Sequence, residues 1–159
     1  MQLDSLIRQL DEQAQAIRAL VADTPDEKAR WKPDPESWSI LEVVNHLYDE
    51  EREDFRAHLD WILHPTAEPW TRIDPPAWVI ERRYNERQLK PSLDNFLRER
   101  RASLQWLGGL PAPDWEIAGQ APWGRITAGD MMASWAAHDL LHARQLVELH
   151  YAYRSEERR

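Results

Sequence analysis

Apolar residues recur at the helical period from the start of the chain. Leu3, Leu6, Ile7, Leu10, Ala14, Ile17, Leu20 and Val21 share one face, which predicts an amphipathic helix over 3–22, ended by Thr24-Pro25. Pro33 and Pro35 keep the next stretch extended, and Trp31 and Trp38 within it are expected to pin over one end of the core. Ser39-Ile-Leu-Glu42 reads as a capping box opening a second helix over 39–64, with Ile40, Val44, Leu47, Phe55 and Ile62 in its core stripe and Pro65 as its stop. Residues 65–79 hold four prolines, too many for a helix on this reading, so they are expected to be a stiff, extended connection. At about 3.3 Å per residue it could span roughly 50 Å, the length of a bundle. A third helix is predicted over 80–107, regular from Pro91, and ended by Gly108-Gly109 and Pro111. The loop 108–126, with Trp115 and Trp123-Gly124-Arg125, leaves room for a short hairpin. Thr127-Ala-Gly-Asp130 caps a fourth helix to about residue 153, apolar around most of its circumference and therefore central. The tail 154–159 is expected to fray. Four helices with no convincing strand or repeat predict an all-α four-helix bundle, a fold that builds sites from side chains facing one another across its core.

Length and charge narrow the function. A chain of 159 residues suits one domain (1–159) with a sizeable core, and a net charge of -8 argues against nucleic acid as a partner. There is no cysteine, which excludes disulfides, thiolate ligands and a cysteine nucleophile. The first residues lack the pattern of a secretion signal and no apolar run would span a bilayer, so a cytoplasmic protein without membrane partners is expected. The apolar back of the fourth helix (Leu140, Ala143, Val147) and the surplus of loop tryptophans among nine in all point to a covered face and a homodimer.

The chemistry sits on two of these helices. His138 and His142 are four residues apart on one face of the fourth helix, within an apolar stripe of Met131, Trp135, Leu146 and Leu149. Two such imidazoles can reach one metal ion, or be a pair of hydrogen-bonded core histidines; two ligands are not a site. A third is available in His46, at the edge of the second helix's stripe, with Glu50 one turn on and Asp49 and Glu53 beside it. Taken alone, His46 is an ordinary boundary histidine paired with Glu50. With antiparallel second and fourth helices, His46 and His142 fall at similar depth near one end of the bundle; a parallel arrangement could also bring them close. His58 and His64 read as surface residues, and Arg98-Glu99-Arg100-Arg101 as a solvated face.

Trp38-Ser-Ile-Leu-Glu-Val-Val-Asn-His46-Leu-Tyr-Asp49, followed far downstream by Ala137-His138-Asp139-Leu-Leu-His142-Ala-Arg144-Gln145, resembles the DinB/YfiT-like superfamily over essentially the whole chain. The resemblance implies a bundle in up-down-down-up order with a long crossover between helices two and three. It also implies that His46, His138 and His142 bind a divalent ion. Imidazole ligands suit zinc, nickel, iron and copper, with zinc or nickel the leading expectation. Some relatives are metal-dependent transferases of a low-molecular-weight thiol (bacillithiol, mycothiol or glutathione), and the same site could serve a metal-dependent hydrolase of a small molecule. A non-catalytic stress-response protein keeping its ion as a structural pin is the remaining class. Glu50, or failing it Asp49, is the candidate base, or else the carboxylate that orients His46. Asp139 points to the flank of its helix, where an inter-helix contact is its default. An acceptor site beside the ion would be lined by Trp31, Trp38, the 65–79 connection and Tyr151.

Overall fold

The computed structural model describes residues 2–158. Its first helix, α1, runs Leu3–Val21, and a short helix, α2, Asp26–Arg30, interrupts the extended linker that follows. The second long helix is built in three pieces. α3 (Ile40–Asp49) begins at the Ser39–Glu42 capping box, a π-helical turn spans Glu50–Phe55, and α4 covers Arg56–Leu63. The π turn is where the expected continuous 39–64 helix departs from regularity: it inserts an extra residue, and Glu51 and Phe55 within it face inward.

The connection after it is not helix-free. α5 (Pro75–Glu81) forms with both prolines in its first turn, where a missing N–H removes no helical bond, and with Asp74 capping Ala77 N–H. A 3₁₀ turn at Tyr84–Glu86 follows Arg83, whose φ of 52° is left-handed, and α6 occupies Leu89–Gly108. The third helix therefore starts later than residue 80. The loop 108–126 does hold a hairpin, β1 (Ala118–Ala121) antiparallel to β2 (Gly124–Thr127), and α7 runs from Ala128 to Glu156 behind the Thr127–Asp130 capping box.

Cross-helix contacts give the order. Asn45 meets Ser92 and Arg56 meets Ser103, so the second and third long helices run parallel. Gln13 reaches the carbonyl of Ala136 and His150 that of Leu20, so α1 and α7 are also parallel. His46 faces His138 while Trp135 bonds Glu51, so the second helix opposes α7. The bundle is up-down-down-up, and the chain from residue 64 to 88 is the crossover two parallel neighbours require.

The core has two apolar layers. One joins Ile17, Val21, Ile40, Val44, Leu89, Phe96, Leu146 and Leu149, and the other Leu10, Phe55, Leu59, Ile62, Leu107, Met132 and Trp135. Between them lies a polar stratum of Gln13, Glu51, Arg100, Ser103 and Asp139, all buried. Arg100 is therefore not part of a solvated face. Its guanidinium bonds Glu51 through two nitrogens at 2.7 Å, Asp139 at 2.7 and 3.1 Å, and the carbonyl of Leu10 at 2.7 Å. Asp139 thus makes the inter-helix contact expected of it. Burial pulls the Arg100 pKa down and the two facing carboxylates more than reverse it, which keeps the guanidinium charged.

Ala143 packs against the core, while Leu140, Leu141, Val147 and Tyr151 on α7 stay exposed. Most loop tryptophans are covered from within the chain: Trp70 and Trp115 pack on the second layer, and Trp123 is the exposed one among them. No helix is long and apolar enough to cross a membrane among the described residues.

Candidate metal centre

The polar stratum is where the histidines meet. His46 comes from α3, on the turn before the π segment, and His138 and His142 come from successive turns of α7. The antiparallel packing brings all three together at mid-depth rather than at one end of the bundle, because α7 continues fourteen residues past His142 to Glu156. The Nε2 of His138 lies 3.1 Å from the Nε2 of His46 and 3.1 Å from that of His142. Nitrogens sharing one ion at about 2.0–2.1 Å, with angles of roughly 100°, stand about that far apart. One ligand atom from each of the three can be chosen with all of them within 4.8 Å of one another, so the cluster could hold a metal ion.

Hydrogen-bond accounting supports that fit. The Gln145 amide oxygen accepts from His142 Nδ1 at 2.8 Å, which leaves His142 Nε2 as a bare lone pair. The single proton a neutral His138 could place on Nε2 would have to serve two nitrogens at once. Its own Nδ1 is buried without a partner, as is that of His46. Three converging lone pairs need a cation between them, and protons are poorly suited to the task. Burial first, then the neighbouring imidazoles, push His46 down to about 2; burial, then His142 and Arg100, push His138 down to about 3. Burial also lowers His142. All three are neutral imidazoles at pH 7, the form that ligates.

The walls are aromatic. Trp38 lies nearly parallel to His142, with centroids 6.3 Å apart, and tilts over His46 at 4.8 Å, while Phe55 meets His138 at 4.9 Å. A recess of about 550 Å³ opens beside His142 between the linker and the C-terminal half of α7, lined by Pro33, Glu36, Trp38, Gln145, Glu148 and Leu149 among others. Trp38 lines it as expected. Trp31 and Tyr151 border neighbouring hollows instead, and the 65–79 connection does not line it.

The two candidate carboxylates sit behind the histidines. Glu50 Oε1 is 3.9 Å from His46 Nδ1, on the side of the ring away from the converging Nε2 atoms, and has no hydrogen-bond partner. Burial, then the adjacent Asp54 carboxyl, pushes Glu50 up to about 9. Asp49 is turned away altogether: it accepts from the Tyr84 hydroxyl and pairs with Arg82 at 2.7 Å and Arg52 at 3.0 Å. Burial and that carboxylate raise the Tyr84 pKa.

His64 is exposed, as read, but His58 is not. It is buried, stacks on Trp70 at 3.8 Å, and bonds Asp54 and the carbonyl of Thr71. The signal that could have found a partner for it is Asp54, an acceptor four residues earlier on the same helix.

A family model described as the DinB superfamily matches residues 9–146. No curated protein matches the chain. Among solved structures, YfiT from Bacillus subtilis, described as a probable metal-dependent hydrolase with an unusual four-helix bundle topology, superposes with a TM-score of 0.81 at 19% identity, over 93% of this chain and 85% of that one.

Proposed function

The chain belongs to the DinB superfamily, and from that premise we propose that it is a divalent-metal enzyme, His46, His138 and His142 holding zinc or nickel, that transfers a low-molecular-weight thiol to a small electrophile. The observation that carries the metal reading is the convergence of three neutral Nε2 atoms beside a recess. When bound, the ion supplies positive charge that favours the thiolate form of a thiol in an open position. The protein supplies the rest. Trp38, Pro33 and Leu149 offer an apolar wall for the acceptor, and the Gln145 oxygen holds His142 in the tautomer that presents Nε2.

One feature favours a thiol nucleophile over water; because the chain has no cysteine, such a thiol must be brought in. Glu50 stands on the Nδ1 side of His46 with its pKa raised, which suits orienting a ligand better than taking a proton from water. The second reading, hydrolysis of a small molecule, is favoured by the likeness to the Bacillus subtilis protein, whose description is of a probable metal-dependent hydrolase.

The test begins with elemental analysis of protein purified without a histidine tag, then metal titration of the three His→Ala variants. Each should bind at least about tenfold more weakly, since a lost ligand costs more than a lost supporting contact. Metal-loaded and chelated protein are then compared for conjugation of bacillithiol, mycothiol and glutathione to monochlorobimane. A metal-dependent rate that collapses in His142→Ala is the expected result. No such rate with any thiol, alongside metal-dependent ester or amide cleavage, would replace transfer with hydrolysis.

A further inference from the structure

The recess beside His142 has one wall from α7 and the other from the linker, through Pro33, Glu36, Ser37 and Trp38. Asp34 braces the middle of that linker, accepting from Glu36 N–H, Ser37 N–H and the Ser37 hydroxyl. Its two ends are gathered by a side chain from the crossover. Asn85, in the 3₁₀ turn, donates to the carbonyl of Arg30 at 3.1 Å and accepts from the Ser39 hydroxyl at 2.7 Å. We propose that Asn85 is a positioning residue for the recess: its one amide closes the linker into a loop and so sets where Trp38 stands beside the histidines. The proposal rests on the reading of that recess as the acceptor's site.

The amide can face only one way. The Arg30 carbonyl can only accept, so the Asn85 nitrogen turns to it and the oxygen is left for Ser39. The Ser39 hydroxyl accepts from Glu42 N–H at 3.1 Å, which leaves its proton free for Asn85. The turn that presents Asn85 is in turn fixed to the helix that carries His46. Arg82 pairs with Asp49 at 2.7 Å and with Glu53 at 2.8 and 2.9 Å, and the Tyr84 hydroxyl donates to Asp49. Arg87 donates to Asn45 Oδ1 at 2.8 Å, while its carbonyl accepts from the Arg30 side chain at 2.6 Å. Between these anchors Arg83 is left-handed at φ 52°, a conformation that persists where surrounding contacts over-determine it.

Trp38 stands immediately before Ser39, the second point the amide holds. It packs against Trp78, Val79 and Tyr84 of the crossover, and its ring lies 4.8 Å from that of His46 and 6.3 Å from that of His142. A loop with tied ends has fewer ways to place the groups it carries. The tie therefore orders the wall before a ligand arrives and lowers the entropy lost on binding. Neither of the two hydrogen bonds touches a histidine of the metal centre. Removing them should loosen the wall and leave the three imidazoles, on α3 and α7, where they are.

Trp38 can be watched directly. In the full-length protein labelled with fluorotryptophan, its fluorine resonance is the one missing from Trp38→Phe. In the unsubstituted protein that line should be single, and should move on adding Zn²⁺ because two ligand rings lie beside it. In Asn85→Ala it should broaden or split. KM for monochlorobimane at saturating thiol should rise about tenfold with kcat held, the mark of lost ground-state binding. Zn²⁺ affinity should stay within a few-fold, since Asn85 touches no ligand. A sharp single Trp38 line in Asn85→Ala, or an unaltered KM beside a measurable rate, would overturn the proposal. So would a Zn²⁺ affinity that falls in step with the rate, which would make Asn85 a support of the whole bundle. Should Asn85→Ala not fold, Asn85→Asp decides: it can accept from Ser39 but cannot donate to Arg30, and an unchanged Trp38 line there overturns the closure. If the unsubstituted protein transfers no thiol, the functional reading fails by itself, and the Trp38 line still decides the role of Asn85.

Discussion

One guanidinium holds the middle of this molecule together. Arg100 satisfies Glu51 from the second long helix, Asp139 from α7 and a carbonyl of α1, so a single side chain ties the other three helices to α6. Glu51 adjoins Glu50 and Asp139 adjoins His138, so this tie also sets the register in which the histidines meet. Such a cluster is weak evidence for net stability, since desolvating its charges offsets much of their attraction. Breaking it is another matter. Arg100→Leu leaves two buried carboxylates facing each other without a counter-ion. It should cost about 3–5 kcal/mol in denaturant unfolding. A loss below about 1 kcal/mol would mean that water reaches the stratum in solution.

At the scale of elements, the caps and the irregular turns position the site. Ser39 begins the helix that carries His46: its hydroxyl accepts from Glu42 N–H, Glu42 accepts from Ser39 N–H at 2.7 Å, and the hydroxyl also bonds the Asn85 side chain at 2.7 Å. Ser39→Ala removes the cap and the tie to the 3₁₀ turn together. A loss of about 1–2 kcal/mol is expected, read as a lowered Tm, with the helical signal unchanged at low temperature. The π turn at Glu50–Phe55 and the α5 start at Pro75-Pro76 were both hidden to pattern reading. A π turn leaves the apolar spacing almost unchanged, and two prolines look like a helix stop until Asp74 makes them a helix start.

For the whole molecule, the outer face of α7 stays exposed among the described residues. Leu140, Leu141, Val147 and Tyr151 are each more than half exposed on it. We propose that a second copy covers this face, forming a homodimer, because monomers rarely leave such a stripe to water. Sedimentation should give a dimer for the unsubstituted chain and a folded monomer for Leu140→Glu combined with Val147→Glu. A concentration-independent monomer for the unsubstituted chain would argue against the interface.

The bundle and its three histidines were open to a reader of the sequence alone. Helical periodicity, two capping boxes and the HxxxH spacing are local signals, each written within a turn or two, and the paired motifs point to the family. Residues whose role depends on partners far along the chain were not legible. Arg100 sits in a run of charges that looks solvated until Glu51, Asp139 and Leu10 surround it, from 49, 39 and 90 residues away. His58 looks like a surface histidine until Trp70 and Thr71 return across it. Asp49 and Glu50 are neighbours of the same chemical type, and spacing could not separate them; packing turns one toward Arg82 and Tyr84 and the other toward His46. The sequence by itself determined which side chains are available at each helical level. Only the tertiary structure decided which of them are buried against which, because burial and charge pairing depend on distances through space that no local pattern encodes.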